Sequence, residues 1–157
     1  MNASPGLYFC ADRAGFSFSA KLSRYRNAMT AHFTIRAEPS RDLIRITMSG
    51  FFTPSDIQAF FDARAAEHAR LTCGPNQHVT LNDLSAIKVQ AQDVVAAFQN
   101  LLADPAYRSR KLAFVVDRTL ARSQLMRALN GRTAKCFENR LEAEKWLFAH
   151  DPEMVAA

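Results

Sequence analysis

The sequence predicts an α/β domain: a layered, mostly parallel five-stranded sheet with an antiparallel N-terminal hairpin strand and about four helices. Three observations carry that expectation. From residue 31 onward, short alternating or β-branched runs take turns with longer segments of helical period. Leu112-Ala113-Phe114-Val115-Val116 is apolar throughout, as a strand covered on both faces should be. The chain has 157 residues, 48% of them apolar, enough for one buried core and too few for two full domains.

Residues 1–28 have no sustained period and read as an extension. The segment is either an arm packing Leu7, Tyr8, Phe9, Phe16 and Phe18 on the domain or a second copy, or an upstream start ahead of Met29. The domain is expected over 29–150, with 151–157 a tail. Phe33 and Ile35, then Ile44, Ile46 and Met48, alternate with polar neighbours, and the turn residues Pro39, Ser40 and Asp42 join these strands as a hairpin. Thr53-Pro54-Ser55-Asp56 has the form of a helix N-terminus: a capping threonine, a proline in the first turn and an acid at the reciprocal position. Ile57, Phe60, Phe61 and Arg64 follow at helical spacing, and Cys73-Gly74-Pro75-Asn76 is the expected stop.

His78 to Leu84 is the third strand, with Val79 and Leu81 inward. Val94, Val95, Phe98, Leu101 and Leu102 form the stripe of a second helix closed by Asp104-Pro105. After the apolar fourth strand, Thr119 to Asn130 reads as a helix ended by Gly131, and Thr133 to Phe137 as the last strand. Asn139 and Glu142 open a final helix running towards Pro152. Strands alternating with helices imply right-handed crossovers and parallel pairing.

The net charge of +5 invites a nucleic-acid reading, because Arg108, Arg110, Lys111, Arg118, Arg122, Arg127, Arg132, Lys135 and Arg140 crowd one stretch. The expected topology divides them. Arg108, Arg110 and Arg132 precede strands, whereas Arg118, Arg122 and Arg140 follow strands, so they occupy opposite edges and nucleic acid is not expected as a partner. Cys10, Cys73 and Cys136 are odd in number and far apart, which suits reduced thiols and a cytoplasmic protein. No run approaches the ~20 apolar residues that cross a bilayer.

Three segments carry a family resemblance. Ser49 to Asp56 (S-G-F-F-T-P-S-D), Asn82 to Ser85 (N-D-L-S) and Arg110 to Val116 (R-K-L-A-F-V-V), in this order of elements, resemble the SpoIIAA-like branch of STAS domains over about residues 31–150. The resemblance implies a non-catalytic module that binds partner proteins, some of its members binding nucleotides or other small ligands. In its anti-anti-sigma subgroup an Asp-Ser pair at the next helix start accepts phosphate. Here that pair falls at Ala91-Gln92, without a hydroxyl, so the phospho-switch does not carry over.

In an open α/β sheet, ligands lie beyond the carboxyl ends of the strands. The expected site residues there are Asp83 and Ser85 after the third strand, and Asp117, Arg118 and Arg122 after the fourth, with Asn139 and Arg140 after the fifth. Arg118 and Arg122 are four apart and share a helix face that could neutralise an anion. Phe51 and Phe52 either close the core or line an apolar mouth. His68, Cys73 and His78 are spaced too widely for the usual zinc pairs, and no metal is assigned. The glycines at 6, 15, 50, 74 and 131 never cluster into a nucleotide loop, so no cofactor is assigned. The expected function is a non-enzymatic regulatory module acting on an unidentified protein partner or as a homodimer. The alternative is a receptor for an anionic small molecule, a nucleotide or acidic lipid.

Overall fold

Side-chain alternation sets the first strand pair. β1 (His32–Glu38) lies antiparallel to β2 (Leu43–Gly50), with Ile35 opposite Ile46. A 3-10 turn at Pro39–Arg41 joins them, and Asp42 adopts a left-handed φ of 47° to complete the reversal. The structure, a computed structural model, describes residues 29–117, 122, 123, 125, 126, 129 and 132–149; the expected arm at 1–28 and tail at 151–157 lie outside these.

Helix α1 (Pro54–His68) opens as its sequence dictates. Asp56 N donates to Thr53 Oγ1 at 3.3 Å while Thr53 N donates to Asp56 Oδ2 at 2.8 Å, satisfying two end groups reciprocally. The helix ends ahead of the expected Cys73-Gly74 stop. Arg70 N and Leu71 N donate to Glu67 O and His68 O, tightening the last turn and consuming the carbonyls that a further turn would use.

β3 (Val79–Ile87) runs past its expected end at Leu84, because β2 continues to offer a partner. Thr47 lies opposite Asp83 and Ser49 opposite Ala86, so β3 carries one extra residue in a bulge. Asp83 Oδ1 holds that bulge by accepting from Ser85 N at 3.2 Å and Ser85 Oγ at 2.7 Å. Then come α2 (Gln92–Ala103), closed by Asp104-Pro105 as expected, β4 (Lys111–Val115), β5 (Ala134–Phe137) and α3 (Arg140–Phe148). Asn139 caps α3, its Oδ1 accepting from Leu141 N at 2.7 Å. Of the expected helix at Thr119 to Asn130, Arg122, Ser123, Leu125 and Met126 are helical, and most of the remainder lies outside the described residues.

The sheet order is β1-β2-β3-β4-β5, parallel from β2 onward. On one face Ile44, Ile46 and Met48 pack against Ile57 and Phe60 of α1 and Val94 of α2, and Leu112 and Phe114 against Leu129. On the other, Leu43, Val79, Leu81, Ala113 and Val115 pack against Ala143 and Leu147 of α3. Lys111, only 2% exposed, reaches the end of α3, where its Nζ donates to Ala149 O at 2.8 Å. No described helix is long and apolar enough to cross a membrane.

Two constraints fix the ends of the sheet. At the carboxyl end Gly50 has φ 78°, and a Cβ there would stand 2.1 Å from Thr30 O. At the amino end a buried polar chain ties β3 to the start of β4: Thr80 Oγ1 and Ser109 Oγ share a hydrogen bond of 2.6 Å, and Ser109 Oγ lies 3.0 Å from His78 Nε2. Burial holds the His78 imidazole down to about 4, His68 and Arg64 adding to the effect and Asp42 opposing it.

Gly50→Ala is expected to destabilise the domain by about 2 kcal/mol or more, since strain and backbone clash coincide, measurable as a lower denaturation midpoint at unchanged slope. A second expectation concerns pH. His78 stays neutral in the fold down to about 4 but titrates near 6.5 when unfolded, so its contribution is complete above pH 6.5 and is lost as pH falls towards 4. His78→Gln should flatten that part of the stability profile; an unchanged slope would show that His78 does not set it.

Candidate functional site

Of the residues expected at the carboxyl edge, Asp83, Ser85, Arg122 and Arg140 each face a neighbour within the chain. Asp83 and Ser85 sit within β3, engaged with each other in the bulge. Asp117 follows β4 and is exposed. Arg118 lies outside the described residues, and Arg122 Nη1 stands 3.6 Å from Glu138 Oε1 across the gap to the end of β5. Arg140 likewise faces Glu144, at 3.6 Å. Phe51 is 41% exposed, whereas Phe52 is 5% exposed and closes the core, stacked on Phe33 at 6.4 Å and edge-on to Phe98 at 5.6 Å.

The geometry gathers a different set. Between the helical face of the sheet and α2 lies a cavity of about 140 Å³. Its floor is the inward side chains of three strands: Ile46 and Met48 of β2, Thr80, Asn82 and Leu84 of β3, and Leu112 and Phe114 of β4. Val95, Phe98, Leu101 and Leu102 of α2 roof it, and Leu125 reaches it from the following segment. At the carboxyl end its wall is Ile87, Lys88, Val89 and Gln90. Here β3 has parted from β4, whose pairing ends at Asp83 opposite Val115, so the sheet itself leaves a gap. Gln90 fixes this mouth: its Nε2 donates to Gly50 O at 2.9 Å and its Oε1 accepts from Phe52 N at 2.9 Å.

Two polar side chains of the lining are buried with an unpartnered nitrogen. Asn82 is 8% exposed and its Nδ2 has no hydrogen-bond partner. Arg64 is 4% exposed; its Nη2 donates to Tyr107 O at 3.0 Å, its guanidinium lies over the Tyr107 ring at 5.0 Å, and its Nη1 has no partner. No carboxylate stands within ion-pair distance of Arg64 among the described residues. Burial pulls Arg64 down from the usual arginine range to about 10, Tyr107 and Asp104 opposing and Arg132 adding repulsion. It therefore remains a cation at neutral pH. An unpaired buried donor costs roughly 1–3 kcal/mol, more when charged, so both positions are costly unless something accepts from them.

His68 and His78, weighed above as metal ligands, do meet, their rings edge-to-face at 4.8 Å. Cys73 does not join them in a ligand set: among the described residues no three His, Cys, Asp or Glu side chains converge on a point. Sequence reasoning passed over Arg64 and Asn82. The signal was there, since Arg64 falls in phase with Ile57, Phe60 and Phe61, and Asn82 shares the strand face of Thr80.

No protein-family model matches the chain, and no curated protein matches it significantly. Among solved structures it is similar to an uncharacterized protein from the DUF3478 family with a SpoIIAA-like fold, from Shewanella loihica PV-4. The two share 17% identity with a TM-score of 0.60, over 75% of this chain and 95% of that one. The hairpin followed by three parallel additions, the helices between them and the closing helix on the far face thus make up a SpoIIAA-like fold.

Proposed function

We propose that the protein is a non-catalytic binding module whose ligand is a small, mainly apolar molecule held between the sheet and α2. The observation that carries this reading is the cavity itself. Its volume of about 140 Å³ is close to that of the ~150 Å³ apolar cavity that accepts benzene in a well-packed protein. Native cores are packed to crystal density, so a void of this size along three strands is an unfilled site more readily than a packing fault.

The chemistry around the void supports binding over catalysis. No carboxylate, imidazole or thiol is among its described lining residues, and the Thr80 hydroxyl is taken by Ser109. The Ser109–His78 pair, the arrangement nearest to a nucleophile and base, is shut in, at 6% and 1% exposure. Of the anion pair expected at Arg118 and Arg122, Arg122 faces Glu138 and Arg118 lies outside the described residues. The absence of a phospho-switch is supported by α2 itself, which starts at Gln92 with Ala91 as its uncapped N-terminal residue. A protein-partner role draws on one observation: Phe51 and Val89, 41% and 53% exposed, present apolar groups at the edge where the cavity opens.

Small apolar compounds of benzene to hexanol size are expected to raise the melting temperature. At a hundred times Kd the gain is about 2.7 kcal/mol, roughly 5–10 °C for a domain this size. Val95→Phe, which fills the roof, should keep the fold and abolish the shift. A wild-type melting temperature indifferent to every such compound would overturn the proposal.

A further inference from the structure

A cavity lined only by apolar groups would serve any small hydrocarbon, but this one is not so lined. Resting on the cavity reading above, we propose that the ligand is a small monocarboxylate that enters head first and lays its carboxylate against Arg64 Nη1, with Asn82 Nδ2 as a second donor on the wall. Thr80 and Leu112, opposite each other in the β3–β4 register, mark the amino end of the cavity, and Ile87 to Gln90 mark its carboxyl end. Arg64, held to Tyr107 by a hydrogen bond and ring contact, lines this cavity from α1 and borders an adjoining pocket with Tyr107 and Asp104.

The charge argument is one of compensation. A guanidinium 4% exposed, lacking an ion-pair partner among the described residues, is a cation taken from water with no carboxylate in contact, Asp104 acting on it only from beyond ion-pair distance. A neutral ligand would leave it so. A carboxylate supplies the missing charge and accepts from a planar donor array suited to it. The rest of the cavity selects the body of the molecule: Met48, Phe60, Leu84, Phe98 and Phe114 surround it with hydrocarbon. At this volume that body is about six carbons, an aryl ring or a short chain. A dianionic headgroup such as a phosphate fits less well at this depth, since among the buried side chains of the lining the unpartnered donors are one guanidinium nitrogen and one amide, Lys88 standing at the mouth.

Hexanoate and hexanol, alike in length and different in head, test this on the full chain by calorimetric titration near pH 7.5. Hexanoate is expected to bind about tenfold or more tightly than hexanol, the worth of one hydrogen bond to a charged group, although hexanol leaves water more readily. The preference should change little with salt, because the pair is shielded from solvent. Arg64→Met, similar in bulk and uncharged, should remove the preference and leave hexanol binding in place. Equal binding of the two compounds to the wild-type protein would overturn the head-group assignment while leaving the cavity proposal standing. Binding of neither would overturn both. If Arg64→Met does not fold, the wild-type comparison and its salt dependence decide alone.

Discussion

Handedness governs this molecule. Four parallel strands lie side by side in sequence order, and α1, α2, Leu125 and Leu129 all pack on the same side of them, as crossovers of a single hand require. Among the described residues, α3 after the last strand covers the other side. One face is therefore crowded with helices that must share it, and on the other, among the described residues, stands one nine-residue helix. The cavity arises on the crowded side, where α2 spans three strands that its side chains do not fill.

Much of this was legible in the residues. Thr53 to Asp56 specified a helix start that forms to the letter, and the unbroken Leu112 to Val116 run identified a strand flanked on both edges. What escaped were lengths. Nothing in Leu84 to Ile87 announces that β3 continues there, because the reason lies in β2, which offers an edge until Gly50 once the bulge has shifted the register. α1 stops at His68 before any breaker appears, because its last carbonyls are consumed by neighbouring turns.

The site was harder to read for a physical reason. Charged and hydroxyl residues beyond strand ends are the ordinary place to look for ligands, and Asp83, Ser85 and Arg122 were chosen on that ground. Each is occupied within the chain, in the bulge or against Glu138. Of the buried side chains with an unpartnered atom, Arg64 and Asn82 line the cavity, at positions whose phase should have been apolar, and His68 stands outside it. A residue that breaks its own pattern without a partner carries more information than a polar residue in a polar place.

The thin side of the sheet has its own consequence. α3 is fastened at its start by Asn139, along its length by Glu144, which meets Arg45 in a short ion pair, and at its end by Lys111. Arg41 adds to this from the hairpin turn, meeting Glu144 at 3.6 Å and lying over the Phe148 ring, while Ala143 and Leu147 are wholly buried against the strands. The helix is thus pinned to both ends of the hairpin-to-β4 span, and loss of Glu144 would break its ion pairs with Arg41 and Arg45 together.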